Sequence, residues 1–190
     1  YPTVGEYDAY LGAHQGWSNA YTADVLTNYF FQVNDDGFEG ALDRFSQFFI
    51  TPLFTPEFVE REMNAVHSEH QKNLLNDNWR INRIFSLQAR EGHPIRLFGT
   101  GNLSTLKNVT RDVLLDFHKK YYSANQMKLV LMSKTSVEKM EKWVKSYFAE
   151  IPNNQRQELT YDADVMRGIT LPRKILVKPV MDLKQLQLAF

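Results

Sequence analysis

Between Arg61 and Asn73 the sequence reads Arg-Glu-Met-Asn-Ala-Val-His-Ser-Glu-His-Gln-Lys-Asn. Four side chains in it could bind a metal or move a proton: Glu62, His67, Glu69 and His70. Glu62 and Glu69 are seven residues apart, close to two helical turns, so on a helix both leave the same face, roughly 10 Å apart along the axis. One carboxylate at that spacing could ligate a metal while the other supports it through hydrogen bonds. On spacing alone a solvated acidic edge is the commoner outcome. His67 and His70 are an i,i+3 pair. Helical zinc-peptidase motifs place two histidines at i,i+4, as H-E-x-x-H or H-x-x-E-H, and His-Ser-Glu-His is one residue short of either. A surface His67 and a half-packed His70 are therefore expected.

Other catalytic chemistries find little support. His14, His93 and His118 stand alone and default to structural roles. The chain has no Cys, hence no thiol nucleophile, no disulfide and no thiolate zinc site. It has no Gly-x-Ser-x-Gly elbow. Phe98-Gly99-Thr100-Gly101-Asn102 is a glycine-bearing loop without the Gly-Lys-Ser/Thr ending that a phosphate-binding loop requires.

The elements that must position these residues follow from periodicity. Thr55-Pro56-Glu57 reads as an N-cap, a first-turn proline and an acidic first turn. It opens the helix bearing Glu62 and Glu69, with Val59, Met63, Val66 and His70 as its packing stripe. A second helix follows through Trp79, Ile81, Ile84, Phe85 and Leu87, stopped by Gly92 and Pro94. Upstream, Tyr7, Tyr10 and Leu11 have helical spacing, and Gly16–Thr22 alternates as a strand behind a leading glycine. Thr27–Val33 is a β-branched and aromatic strand closed by Asn34-Asp35-Asp36-Gly37. Phe38, Ala41, Leu42, Phe45, Phe48 and Phe49 form a broad helical stripe ended by Pro52. Downstream, Thr110 caps a helix with Val113, Leu114, Phe117 and Tyr121 inside. Thr135 or Ser136 caps another, with Val137, Met140, Val144, Tyr147, Phe148 and Ile151. Lys128–Met132, Lys174–Val180 and Leu186–Phe190 read as further strands, and 153–167 as a polar linker. Hairpin-like pairs mixed with crossover helices predict an α/β or α+β sheet covered by helices on at least one face.

The totals are those of an ordinary globular chain. Of 190 residues, 43% are hydrophobic and 23% charged, and 13% are aromatic, enough for a sizeable core. The 22 basic and 22 acidic residues cancel. Nothing in that balance looks like a nucleic-acid surface, which normally needs clustered net positive charge. No apolar run approaches the ~20 residues of a membrane helix. A soluble protein of the cytoplasm or periplasm is expected.

Several blocks, taken in order, resemble the pitrilysin/insulysin (inverzincin) family of zinc endopeptidases. They are Gly16–Thr22, Ala41–Phe49 with Pro52-Leu53-Phe54, Arg61–Val66 with Ser68-Glu69-His70, Phe98–Asn102, Phe117–Ser123 and Pro179–Leu183. The resemblance covers almost the whole chain. It implies an α+β fold with helices packed on a mixed, largely antiparallel sheet, the α/β roll of that family truncated at its N-terminus. Residues 1–109 would be an N-terminal peptidase block and 110–190 a second block cut at its C-terminus, either as two domains or as parts of one.

What the resemblance implies for chemistry is specific. The family holds Zn²⁺ with two histidines of an H-x-x-E-H helix and a distal glutamate, which matches Glu69. Glu62 matches the glutamate that supports the site without touching the metal. Ser18, Asn19 and Ala20 match the edge strand that pairs with the backbone of a peptide substrate, a strand-addition mode. The remaining partner would be the C-terminal half of the same protein or a homologous subunit. This sequence departs from the family in having no H-x-x-E-H. A chain beginning after that helix would show this, and so would a non-catalytic homologue acting as a partner subunit. His67 also stands where an acidic residue is usual and Trp17 where a small one is, which alters local charge and subsite shape. The fragment itself is expected to be inactive.

Overall fold

The computed structural model describes residues 3–23, 25–182 and 184–188. Tyr1, Pro2, Asp24, Leu183, Ala189 and Phe190 lie outside the described residues, so the end of the Pro179–Leu183 block and of the expected 186–190 strand do too. The chain folds as two compact units. One comprises residues 1–55 with 110–159, the other 56–109 with 160–190.

The first unit contains α1 (Glu6–Ala13), β1 (Trp17–Thr22), β2 (Thr27–Gln32), α2 (Phe38–Ile50), α6 (Arg111–Tyr121) and α7 (Val137–Tyr147). Strands β1 and β2 pair antiparallel, with Trp17 opposite Gln32, Asn19 opposite Phe30 and Thr22 opposite Thr27. Gly16 leads into β1 because a Cβ there would collide with the Gln32 carbonyl oxygen and meet Val33 Cα at 3.0 Å. The backbone that approaches this glycine is thus the hairpin's own second strand.

One face of the hairpin is built to pack. Ser18 and Ala20 are small where they oppose Phe31 and Tyr29. Those rings reach α2: Phe31 lies 5.1 Å from Phe45 and 6.0 Å from Phe38, and Tyr29 lies 5.4 Å from Phe49. The expected α2 stripe forms, with Phe38, Ala41, Leu42 and Phe45 buried. Phe38 and Leu42 then meet Trp143 of α7, the centre of a cluster that also takes Val33, Leu131, Met140, Tyr147 and Phe148. Helix starts follow their caps: Thr110 Oγ1 accepts the Val113 N–H, and Ser136 Oγ, not Thr135, accepts the Lys139 N–H.

The second unit contains α3 (Pro56–Asn73), α4 (Asp77–Leu87) and α5 (Leu103–Leu106). Asn76 caps α4 by accepting from Asn78 and Trp79 N–H. Asn102 and Thr105 cap α5 reciprocally. His93 is buried and structural, as expected of a lone histidine. One ring nitrogen accepts the Ile95 N–H and the other lies 3.0 Å from the Asp162 carbonyl oxygen.

Two expected strands need correction. Residues 128–132 and 174–180 run without ladder hydrogen bonds, and among the described residues the sheet has only β1 and β2. Side-chain pattern makes a segment competent for a strand, but a strand forms only against a neighbouring backbone. Among the described residues that neighbour is lacking: Val130 and Met132 are about nine-tenths exposed, at 89% and 91%, while Leu131 alone of this segment turns into the core. The α+β character holds, carried by helices packed on an antiparallel hairpin. Nor is 153–167 a free linker. Asn154 N–H donates to Ser123 Oγ, and the Arg156 carbonyl accepts from both Asn125 and Gln126.

Candidate functional site

Residues 18–20 lie in the first unit, at the outer side of the hairpin. Ala23 N–H donates to Leu26 O at 2.8 Å, one step beyond the Thr22–Thr27 pair. In an antiparallel ladder hydrogen-bonded and non-hydrogen-bonded pairs alternate. Residues 17, 19 and 21 therefore bond inward to β2, and Ser18, Ala20 and Thr22 turn their N–H and C=O groups to the open edge. The Ala20 N–H agrees, since its acceptor is the side-chain oxygen of its own neighbour Asn19 at 2.8 Å. Thr22 and Thr27 hydroxyls, 3.1 Å apart, mark the close side-chain approach of a non-hydrogen-bonded pair. Ser18 and Ala20 thus offer backbone, whereas Asn19 offers its amide side chain. An extended chain laid along this edge would meet the outward backbone groups of three residues, with the Ala20 N–H to be taken over from the Asn19 side chain.

The opposite face of the hairpin is aromatic and neutral. It carries Trp17, Asn19 and Tyr21 from β1 and Asn28, Phe30 and Gln32 from β2. Trp17 stands edge-on to Phe30 at 5.7 Å, and Tyr21 flanks the same ring at 6.5 Å. Composition and spacing do not single out Phe30. The signal for it is the hairpin register, which sets it opposite Asn19.

Glu62 and Glu69 lie in the second unit, on α3, and both are exposed. The helix is continuous between them, so they share a face as their spacing requires. Beside them Val66 and His70 pack inward. His70 meets Phe98 edge-on at 5.0 Å, and Gly101 comes so close that a Cβ there would lie 3.5 Å from Val66 Cγ1. The 98–102 loop is thus a brace for α3, with Arg83 holding its base through the Arg96 and Leu97 carbonyls. His67 is half-buried rather than on the surface, and its Nδ1 has no hydrogen-bond partner among the described residues.

A zinc ion needs three or four converging protein donors. Among the described residues no three of His, Asp and Glu come together. The described residues therefore do not bring together a zinc ligand set by themselves. Glu69, exposed on its helix, can be at most one ligand, and the histidines beside it do not complete a set.

Comparison with known proteins places the chain. Residues 1–89 match the family model described as insulinase (peptidase family M16), and residues 108–190 match the one described as the peptidase M16 inactive domain. The A-factor-processing enzyme of Saccharomyces cerevisiae is 43% identical over the whole chain, which spans 19% of that protein. The insulin-degrading enzyme of Drosophila melanogaster is 42% identical over the whole chain, which spans 20% of it. The crystal structure of pitrilysin superposes with a TM-score of 0.81 at 33% identity, over 87% of this chain and 18% of that one. A protease from Helicobacter pylori shares the fold at a TM-score of 0.69 and 20% identity, over 85% of this chain and 39% of that one. The chain thus spans about a fifth of the curated relatives it matches. With both halves matched in order by models of one peptidase family, and its fold matched by pitrilysin, the chain belongs to the pitrilysin/insulysin family, peptidase family M16.

Proposed function

We propose that this chain is a segment of a longer zinc metalloendopeptidase and supplies it with a peptide-pairing edge and one metal ligand. The observation carrying the proposal is the open edge of β1, where Ser18, Ala20 and Thr22 turn their backbone groups away from β2, the Ala20 N–H being held only by the neighbouring Asn19 side chain. A hydrolase of peptide bonds must hold an extended backbone, and strand addition does so without demanding a particular sequence. Glu69 is the proposed zinc ligand and Glu62 its supporting carboxylate, with two histidines supplied from outside this chain. Substrates are short or unfolded polypeptides, because only an extended segment can add to an edge. The blocks 1–109 and 110–190 act as parts of one peptidase-type fold, working with a C-terminal half or a homologous subunit.

The test uses the protein extended upstream through any H-x-x-E-H. It should retain one zinc per chain after dialysis and cleave an internally quenched peptide, and Glu69→Gln should lose both properties while keeping its fold by circular dichroism. Wild-type turnover in that variant would remove Glu69 from the ligand set. The 190-residue chain alone should retain no zinc. A second reading, a non-catalytic partner subunit, draws on the match of residues 108–190 to an inactive-domain model. It would be favoured by an altered upstream motif and absent turnover with peptide binding intact.

A further inference from the structure

We infer that His14 and Asp36 are positioning residues for the peptide-pairing edge, their hydrogen bond fixing the corner at which α1 turns into β1. This rests on the strand-addition reading above and adds to it the contact that sets where the edge stands.

The backbone at the corner is held in an uncommon shape. Gln15 takes a left-handed conformation at φ 56°, which a residue with a side chain keeps only where its surroundings impose it. Gly16 then enters the hairpin with no room for a Cβ, and the outward groups of Ser18 follow two residues later. A rotation at the corner is therefore carried straight into the edge. Two ties of the corner stay within the end of α1: the Gln15 N–H donates to Gly12 O at 3.1 Å and the Gly16 N–H to Leu11 O at 2.7 Å. Two others reach across to the end of β2 and the start of α2. The Asn34 N–H donates to His14 O at 3.1 Å, and His14 Nδ1 lies 3.1 Å from Asp36 Oδ2. Of the four, only the last is made by side chains, so only it is specified by residue type.

Helix α1 is itself already fixed. Arg44 of α2 pairs with Glu6 at 2.6 Å and covers the Tyr10 ring at 3.8 Å, and the Tyr10 hydroxyl donates to the Gly37 carbonyl. What remains to be set is the direction in which the chain leaves the helix. The His14 ring is placed to set it. It packs on Tyr10 with 4.6 Å between centroids and closes on Gly37, where a Cβ would lie 2.5 Å from His14 Cγ. The wedged ring brings Nδ1 to the Asp36 carboxylate. That hydrogen bond is the main cause holding the Asp36 carboxyl below the usual carboxylate range. An ionised carboxylate only accepts, so Nδ1 carries the proton and donates it. Asp36 is exposed, and an exposed pair adds little to overall stability. Its effect is on where β1 starts, not on whether the unit folds. Sequence position gives no sign of the pair, whose members are 22 residues apart.

The test measures binding of an extended alanine-serine-lysine peptide to the full-length protein by fluorescence anisotropy, with zinc removed by a chelator so that nothing is hydrolysed. A second set of peptides carries one backbone N-methyl group at successive positions. In the wild type, methylation at one or more positions should weaken binding by about fivefold, the weight of one edge hydrogen bond. His14→Ala and Asp36→Ala should each raise the Kd of the unmethylated peptide by about fivefold, and the double variant should raise it no further. Neither should weaken binding of the affected methylated peptide by more than about twofold, because its edge bond is already lost. His14→Asn, whose amide nitrogen takes the place of Nδ1, and Asp36→Asn, which keeps one acceptor oxygen, should stay within about twofold of the wild type. Asp36→Ala leaves the packing of the His14 ring alone, so it decides the matter if His14→Ala does not fold. An unchanged Kd in Asp36→Ala overturns the inference. So does a loss equally large for the methylated peptide, which would mean that the pair supports the fold and not the edge. His14→Asn as weak as His14→Ala also overturns it, by assigning the effect to the ring and not to the bond. A wild type indifferent to N-methylation at every position removes the strand-addition reading and this inference with it. A sensitive wild type with an unaffected Asp36→Ala removes this inference alone.

Discussion

The ring of His70, on the helix that carries Glu69, meets Phe98 edge-on with 5.0 Å between centroids and 77° between planes. Phe98 in turn lies 5.7 Å beneath the Arg83 guanidinium, so one aromatic ring is held between α3 and α4. This gives the Phe98–Asn102 loop a mechanical role. Phe98→Ala removes both ring contacts and half-buried apolar area, and should destabilise the protein by about 1–3 kcal/mol. Urea unfolding followed by far-ultraviolet circular dichroism measures it. A midpoint equal to wild type would show that the loop does not brace α3.

The first unit should be most sensitive at Trp143. It is buried between Phe38 and Leu42, with the Phe38 ring at 5.9 Å. Trp143→Ala leaves a cavity that α2 and α7 cannot both collapse into, at a cost of about 3–5 kcal/mol. Trp143→Phe should recover more than half of that loss. Tryptophan emission would be altered by the substitution itself, so the unfolding midpoint by circular dichroism is the readout. A cost below about 1 kcal/mol would remove Trp143 from the centre of the core.

Much of this architecture was legible in the sequence because helices announce themselves locally. The Phe38–Phe49 stripe, the proline at the start of α3 and the hydroxyl caps at Thr110 and Ser136 all act within a turn or two. The pair Glu62 and Glu69 was legible for the same reason, since helical spacing alone puts them on one face. That residues 128–132 and 174–180 stay unpaired was not, because pairing depends on a second backbone that spacing within a segment does not reveal. Phe30 was hidden behind the same difficulty: its face is set by register with Asn19, not by its own neighbours. The proposed zinc site was not legible from pattern alone, since among the described residues no three of His, Asp and Glu come together.

His118 gives the first unit a pH response. Burial holds its pKa below the ordinary histidine value, a bond with the Phe48 carbonyl opposing the shift only in part. Its ring stacks on Tyr122 at 4.5 Å, and its Nε2 has no partner among the described residues. The unfolded chain, with a histidine pKa of about 6.5, therefore takes up a proton before the folded one does. The stabilising effect of the neutral ring is complete above that value and is lost as pH falls from about 7 towards 5. His118→Phe keeps the stack and removes the proton site. Denaturation midpoints at neutral and acid pH should separate more in wild type than in this variant. Equal separations would show that His118 is neutral and charged with equal ease in the fold.

Asp77 ties the segment around 180 to the start of α4. Its carboxylate accepts the Val180 N–H at 3.0 Å and the Met181 N–H at 3.3 Å, and pairs with Arg80 at 2.8 Å. The Val180 N–H is the main cause that holds its pKa below the ordinary aspartate value, with Met181 and Arg80 adding to it. The sign follows from that direction. The tether is intact above the unfolded aspartate value of about 4 and weakens as pH falls through the lower folded value. Asp77→Ala should therefore lower the protection of the Val180 and Met181 amides against hydrogen exchange by about tenfold at neutral pH, while α3 keeps its protection. Asp77→Asn, which retains one acceptor oxygen, should fall between. The gap between wild type and Asp77→Ala should narrow as pH falls through the lowered folded value, where the wild-type carboxylate takes up its proton. Equal protection in wild type and Asp77→Ala at neutral pH would mean that the segment is held by other contacts.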